Sequence, residues 1–336
     1  MNKQSSKLLT ITASPHIKSL IKTNNIMADV IFALMPALVW AIYVYGLRAL
    51  TITGISVISC VVTEYLYRRL MHKSNTIGDL SAVVTGLLLA FSLPVSVPLW
   101  MPVLGAIFAI IVAKQLYGGI GKNIVNPALA GRIFLFFAYS DEMCAYTLPG
   151  ESLPAFKINV ASYTNSIIAG ATPLESMKSG KIPDYDMITT LVGNLPGCIG
   201  EVSASILILT GLYLMFRKVI TWHIPATYIA TVAILTFAFP LHSAERFEFM
   251  LAQLFSGGLM LAAFFMATDY VTSPATGLGR IIYGVGCGLI TVFIRYFGGF
   301  PEGASFAILI MNLFVWYLDK ATCPKVFGGV KKNEKQ

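Results

Sequence analysis

Long runs of hydrophobic residues, separated by short polar segments, repeat along the whole sequence. Ten of these apolar stretches can be drawn, and they lie at 27–46, 49–67, 80–93, 100–117, 124–140, 201–216, 221–240, 250–268, 281–297 and 304–318. Most of them approach the roughly 20 residues that an α-helix needs to cross a bilayer. The pattern predicts an all-α integral membrane protein with ten transmembrane helices.

The composition supports a membrane protein and argues against the main soluble classes. Hydrophobic residues make up 56% of the 336 residues and charged residues only 12%, about half the charged share of an ordinary soluble domain. The net charge of +8 is not accompanied by a basic helix or an aromatic RNA-binding motif, so we expect no nucleic-acid partner. The five cysteines form no CxxC pair and the four histidines are far apart in the sequence, so neither a metal site nor an iron–sulfur cluster is encoded locally.

The distribution of lysine and arginine predicts the orientation of the helices. With a cytoplasmic N-terminus, ten crossings place 16 of the 24 basic residues on the cytoplasmic side and only five outside, as the positive-inside rule requires. We therefore expect a multi-pass protein of the inner (cytoplasmic) membrane with both termini in the cytoplasm. Residues 1–26 lack the long apolar core and cleavage site of a signal peptide and are predicted to be a cytoplasmic segment, and 319–336 a cytoplasmic tail.

Residues 141–200 interrupt the hydrophobic rhythm. This segment is polar, is rich in Pro, Gly, Ser and Thr, and carries six acids against three lysines. The same topology makes it an extracytoplasmic loop. At about 60 residues it is far longer than an ordinary connection, which indicates a functional or folded segment.

The segments on either side of this loop, 27–140 and 201–318, look like related halves. A Gly-Gly pair follows the fourth apolar stretch of each half, at 118–119 and at 298–299. Because each half has five spans, the second must cross the membrane upside down relative to the first. Such an inverted repeat is typical of transporters, whose ligand sites lie near the repeat interface.

Charged residues within or near the ends of the spans have two interpretations. They either extend to the membrane interface or serve a path for cations. Asp79 and Asp269 are the candidates for an ion path, because each adjoins a segment predicted to be broken or irregular. The full set is Asp29, Glu64, Asp79, Lys114, Arg132, Glu201, Asp269 and Arg295.

Two glycine-rich motifs look like nucleotide-binding loops but do not fit that chemistry. The sequence GGIGKN at 118–123 has Asn123 where a phosphate loop needs a Ser or Thr to bind magnesium. Together with Asn126–Ala128 it predicts either a helix break that lines a cavity or an ordinary turn. The alternate glycines of 284–288 follow no predicted strand and indicate a close-packing helix face.

The polar loop contains a helix-start signal around Thr172. Thr172 suits the N-cap position, Pro173 the first helical position and Glu175 the closing position of a capping box. This capping role needs no further function. A helix start also stabilises an anion, so a phosphate esterified to the Thr172 hydroxyl would suit the same geometry.

The sequence GATPL at 170–174 resembles the flavinylation motif of the D subunit of the Rnf ferredoxin:NAD oxidoreductase complex. It resembles equally the motif of the B subunit of the sodium-translocating NADH:quinone oxidoreductase, a member of the same family. The family motif usually has Asp six positions and Ser or Thr three positions before the threonine, where this chain has Ser166 and Ala169. Further blocks resemble the family in the same order: SAVVTGLLLA at 81–90, NPALAGR at 126–132, FMATD with TSPAT at 265–276, and GGFPEG at 298–303.

The resemblance implies a membrane subunit that carries electrons through a covalent FMN and couples their transfer to sodium or proton movement. Thr172 would carry the FMN through a phosphoester, with Gly170 and Ala171 as cofactor-binding neighbours. The family also holds a second, non-covalent flavin, riboflavin, between the helix repeats. The implied partners are a second covalent flavoprotein subunit, membrane iron–sulfur subunits, and the ferredoxin-side and NAD-side subunits, and activity is expected only within that complex.

Two other classes of function compete with this one. The inverted repeat alone would fit a channel or secondary transporter without a redox cofactor, and a cofactor-free membrane scaffold is the third class. A simple carrier has no need of Thr172 or of a 60-residue polar insert. A visible flavin spectrum of the purified chain would separate an electron carrier from a scaffold.

Overall fold

A computed structural model describes residues 22–150, 153–157, 172–178, 191, 193, 196–201, 203–241, 245–299 and 302–324. Within these ranges the regular structure is helical, and the only β-type pairing is an isolated bridge between Pro94 and Cys198. The predicted all-α class is thereby confirmed. Gly170, Ala171, Ser166 and Ala169 lie outside the described residues.

The described ranges contain thirteen α-helical segments, numbered here in chain order. Helix α4 continues as a π-helix over Phe108–Gln115, and α11 as a π-helix over Ala262–Met266. The α-helices are α1 Thr23–Tyr45, α2 Leu47–Leu70, α3 Ser81–Phe91, α4 Met101–Ile107, α5 Pro127–Ala138, α6 Ser140–Met143, α7 Pro173–Lys178, α8 Ala204–Phe216, α9 His223–Ala238, α10 Arg246–Phe255, α11 Leu259–Leu261, α12 Gly277–Phe297 and α13 Ala304–Thr322.

Each of the ten apolar stretches contains helix, but the helices differ in length. Four of them, α1, α2, α12 and α13, are long and apolar enough to cross a membrane, and the bent pair of α10 with α11 would make a fifth. Helix α3 has 11 residues, which rise about 16 Å, against a hydrocarbon core of about 30 Å. The chain is therefore a multi-pass membrane protein, while ten crossings stay a prediction.

The third apolar stretch does not form a complete span because prolines follow α3. Pro94 and Pro98 cannot donate backbone hydrogen bonds, so the chain from 92 to 100 leaves the helix. Carbonyls of this segment that have no helix partner accept hydrogen bonds from Arg48, a fully buried side chain. Its Nε donates to Val95 O at 2.9 Å and its Nη2 to Val97 O at 2.8 Å.

The eighth stretch is interrupted at a pair of glycines. Gly257 and Gly258 have φ values of +72° and +63°, a conformation that costs other residues energy. Helices α10 and α11 meet there at a bend of 61°. Helix α3 and the π-helix that continues α11 both lie inside the bundle, and both line the cavity described below.

Close helix packing builds the rest of the core. Helix α2 packs on α3 and α4, and α12 packs between α9 and α13. A Cβ added to Gly284 or Gly288 would collide with Thr227 or Thr231 of α9. This confirms the close-packing face predicted for these glycines and excludes a nucleotide loop there.

Candidate functional site

Thr172 lies at the start of the short helix α7. Its side chain is 4% exposed, and its Oγ1 accepts a hydrogen bond from Glu175 N at 3.3 Å. The N-cap role predicted for Thr172 is therefore confirmed. Thr172 is therefore a buried residue while α7 occupies this position.

Helix α7 is held against the helix bundle by apolar and polar contacts. Leu174 and Met177 form a buried cluster with Phe249 of α10. Lys178 Nζ donates to Gly298 O at the end of α12. A Cβ on Gly257 would collide with Leu174, so Leu174 lies directly against the α10–α11 break. The segment that begins at Thr172 therefore packs directly against the α10–α11 break.

A buried polar cluster lies beside this break, and we call it the Glu302 cluster: Arg132, Tyr146, Cys198, Glu201 and Glu302. Arg132 forms an ion pair with Glu302, and its Nη1 donates to Ser305 Oγ at 2.8 Å. Tyr146 OH donates to Glu302 Oε1 at 2.8 Å. Potential ligand atoms of Cys198, Glu201 and Glu302 lie within 4.8 Å of one another.

A second buried cluster surrounds Glu64 of α2. Lys114 Nζ donates to Glu64 Oε2 at 2.7 Å and to Ser81 Oγ at 2.7 Å, and Gln115 Nε2 donates to Glu64 Oε1 at 3.0 Å. Lys114 and Glu64 are 3% and 1% exposed. The interfacial interpretation of these two charges is therefore wrong, because they neutralise each other inside the protein. The same correction holds for Arg132 and Arg295, which are also buried.

An open cavity lies between the two halves of the chain. Its empty volume, including the open mouth, is about 760 Å³. Helices α1, α3 and α8, the 118–126 segment, and the π-helix after α11 all contribute to its wall, which is largely apolar. Its polar lining residues are Ser81, Thr85, Lys114, Asn123, Asn126, Thr268, Asp269 and Tyr270.

Of the two carboxyl groups proposed for an ion path, the structure brings only Asp269 to this cavity. The Asp269 carboxylate accepts a hydrogen bond from Thr272 Oγ1 at 3.1 Å. Burial raises the pKa of this carboxyl above its ordinary value, and the Thr272 hydrogen bond opposes the rise. Asp79 lies in the 3-10 turn Ile77–Asp79, partly exposed and away from the cavity wall.

The 118–126 segment lines the cavity, as one of its two interpretations predicted. Gly118, Gly119 and Gly121 have positive φ values, which break the helix before α5. Asn126 caps α5 by accepting from Ala128 N, and its Nδ2 donates to Met266 O at 3.2 Å. This hydrogen bond joins the two halves at the cavity wall.

The sequence interpretation did not identify Glu302 as a functional residue. It lies in the GGFPEG block, but no local pattern indicates that its carboxylate contacts Arg132, 170 positions earlier. Arg48 is one of the five basic residues that the predicted topology places outside the membrane, and the sequence does not indicate that its guanidinium binds the carbonyls after α3.

Comparison with known proteins identifies the family of this chain. A model of the NQR2, RnfD, RnfE family matches residues 10–328. A relative from Acetobacterium woodii, named as the D subunit of a Na(+)-translocating ferredoxin:NAD(+) oxidoreductase complex, is 44% identical over 327 residues, which are 96% of each chain.

Two further relatives extend the comparison. The D subunit of the proton-translocating ferredoxin:NAD(+) oxidoreductase complex of Clostridium ljungdahlii is 38% identical over 96% of each chain. The D subunit of the ion-translocating oxidoreductase complex of Escherichia coli is 34% identical over 96% of this chain and 99% of the relative. These matches confirm the resemblance drawn from the sequence blocks, and the chain belongs to the NQR2, RnfD, RnfE family.

Proposed function

We propose that this chain is the D subunit of an ion-translocating ferredoxin:NAD oxidoreductase complex, in which it carries electrons through an FMN esterified to Thr172. The observation that carries the proposal is similarity along nearly the whole chain to relatives named as the D subunits of such complexes. The chain is proposed to act within the assembled complex, because the relatives are named as subunits of such complexes.

The residues around Thr172 suit the attachment of FMN when α7 is not docked on the bundle. A bound FMN supplies reversible electron transfer. Thr172 supplies the hydroxyl, and Leu174, Met177 and Lys178 hold the segment on the bundle. Because the hydroxyl is buried in the docked segment, esterification takes place before α7 docks or while it is displaced.

We propose that the second, non-covalent flavin binds in the cavity between the halves. An isoalloxazine ring needs flat apolar walls and a few hydrogen-bonding groups at its edge. Phe264, Phe265 and Leu88 supply apolar wall, and Asn123 and Lys114 supply hydrogen-bonding groups. We therefore assign riboflavin to this cavity, which places it between the proposed repeats.

The two halves are proposed to be inverted repeats, each of five spans. The sequence GLLLA at 86–90 of α3 corresponds to GLMLA at 258–262 around α11. Lys114 binds Ser81 five positions before the first block, and Arg295 binds Gln253 five positions before the second. The matching contacts support the repeat. The distribution of basic residues supports a topology with both termini in the cytoplasm and 141–200 outside the inner membrane.

The partners follow from the same assignment. They are a second covalent flavoprotein subunit, the membrane iron–sulfur subunits, and the ferredoxin-side and NAD-side subunits. Sodium or protons are the coupling ion. One relative, 44% identical, is named as part of a sodium-translocating complex, and another, 38% identical, as part of a proton-translocating complex.

The decisive experiment is attachment of FMN to the chain made together with its flavin transferase. The denatured parent should fluoresce on a gel and gain the mass of an esterified FMN, because a phosphoester survives denaturation. Thr172→Ala should abolish both signals, whereas Thr172→Ser keeps an oxygen and should retain part of them. The matched control, Thr164→Ala in the same loop, should keep the full signal. An unmodified parent would refute the assignment and favour the cofactor-free transporter.

A further inference from the structure

We propose that Glu201 holds a proton and that the Glu302 cluster is a proton-binding site. Carboxylate oxygens of Glu201 and Glu302 lie within 4.8 Å of each other. Two negative charges at this separation inside a protein repel each other, so one of the two acids is favoured in its neutral form. The neighbouring groups decide which one.

Glu302 is the acid that stays ionised. Its Oε2 forms the ion pair with Arg132 Nη2. Its Oε1 accepts from Tyr146 OH at 2.8 Å and from Cys198 Sγ at 3.6 Å. Both oxygens are thus bound by donors, and a positive charge adjoins them, which stabilises a carboxylate.

Glu201 has weaker support, which comes from the backbone and side chain of Cys198 and from the charge of Arg132. Its Oε1 is fully buried and has no hydrogen-bond partner among the described residues, although part of the side chain is exposed. A Cβ on Gly258 would lie 3.0 Å from Oε1, and one on Gly197 would lie 2.6 Å from Oε2. Both carboxyl oxygens therefore lie close to glycine backbone. A charge in such a place is costly unless it is paired.

A second unpartnered oxygen lies beside the same break. The side chain of Ser256 is 5% exposed, and its Oγ has no partner among the described residues. Ser256 directly precedes Gly257 and Gly258. The break therefore has two buried polar oxygens without a partner among the described residues, Glu201 Oε1 and Ser256 Oγ.

The other charged groups near Glu201 do not replace its missing partner. The Arg295 guanidinium donates to Gln253 O at 2.5 Å, Gln253 Oε1 at 3.0 Å, Ser256 O at 3.1 Å and Glu302 O at 3.0 Å. These acceptors occupy it, and the ion pairs of the described residues include none to Glu201. The titratable and charged groups that face Glu201 are Tyr45, Arg132, Tyr146, Cys198, Arg295 and Glu302.

A proton fits this site better than a metal ion. Arg132 Nη2 lies 3.6 Å from Cys198 Sγ and also contacts Glu302. The guanidinium already occupies the position that a cation would take among these ligands and would repel one. The protonation of Glu201 follows from this geometry alone, and it is independent of the FMN assigned to Thr172.

The test is infrared spectroscopy of the purified full-length chain at neutral pH. A protonated carboxyl group has a carbonyl stretch that a carboxylate lacks. The difference spectrum of the parent minus Glu201→Gln should contain this band, and raising the pH should remove it. The matched control is an exposed acid outside the cluster: the parent minus Glu248→Gln should lack the band.

Thermal stability gives an independent readout. Glu201→Gln replaces a neutral group by a neutral group of equal size and should leave Tm close to that of the parent. Glu302→Gln leaves Arg132 buried without its counter-charge and should lower Tm by several degrees. A Glu201→Gln difference spectrum without the band, or an equal loss of Tm in the two variants, would show that Glu201 is ionised and would overturn the proposal.

Discussion

At the scale of single residues, the buried charges are where sequence interpretation and structure differ most. Glu64 and Lys114 are visible in the sequence as charges in apolar stretches, but 50 positions separate them. Their pairing depends on α2 and α4 packing together, which no local pattern encodes. Breaking such a buried pair costs about 3–5 kcal/mol because the remaining charge has no partner. Charges in spans can therefore be found from sequence, while their partners require the fold.

Asp269 and Asp79 are equivalent candidates in the sequence, and the structure separates them. Asp269 lines the cavity together with Lys114, whereas Asp79 lies in a turn away from it. A carboxylate oxygen beside the Thr272 hydroxyl is the kind of hard ligand that a cation prefers. We predict that Asp269→Asn lowers ion uptake by the assembled complex more than it lowers the amount of the protein.

Asp79→Asn is the matched comparison for this prediction. It removes the same charge outside the cavity and should leave ion uptake near that of the parent. Uptake is measured in vesicles that contain the assembled complex, with the abundance of the chain measured in parallel. Equal uptake by the two variants would remove Asp269 from the ion path.

At the scale of elements, the interrupted helices were only partly predictable. Pro94, Pro98 and the Gly257–Gly258 pair are visible signals, yet the apolar stretches run through or up to them without a break in hydrophobicity. A hydrophobicity pattern therefore counts a half-length helix as a complete one. The π-helices at Phe108–Gln115 and Ala262–Met266 had no sequence signal either, and both reach the cavity wall. Such π-helical turns occur often at functional sites.

The α10–α11 break should control the position of the segment that carries Thr172. Gly257→Ala places a Cβ against Leu174 and forces alanine into a left-handed conformation that costs about 1–2 kcal/mol. We expect α7 to lose its position on the bundle. A cysteine introduced as Met177→Cys, in a background without native cysteines, should then react faster with a maleimide, because Met177 is buried in the docked segment.

Gly299→Ala provides the control for the α7 prediction. A Cβ at Gly299 meets nothing within 4 Å, so this variant should react at the parent rate. An unchanged rate in Gly257→Ala would mean that α7 is held by contacts other than the one between Leu174 and the break.

At the scale of the whole molecule, family and fold class were predictable because their signals are spread over the chain. Separated sequence blocks indicated the family before any contact was known, and the apolar stretches indicated the all-α class. The Glu302 cluster was not predictable in the same way, because it joins α5, the 196–201 segment and the start of α13. Long-range convergence of this kind depends on how the two halves pack.

The orientation of the whole molecule in the membrane can be tested by cysteine labelling on the two sides. Basic residues concentrate at one set of helix ends, and the assignment of FMN to Thr172 places 141–200 on the opposite side of the membrane. Ser179→Cys, introduced into a chain without native cysteines, should react with a membrane-impermeant maleimide in cells whose inner membrane is intact and whose outer layers are permeabilised. Ser74→Cys, in the exposed turn after α2, should react only after the inner membrane is broken. Because all other crossings are counted from these two positions, the reverse pattern would invert the topology and place Thr172 in the cytoplasm.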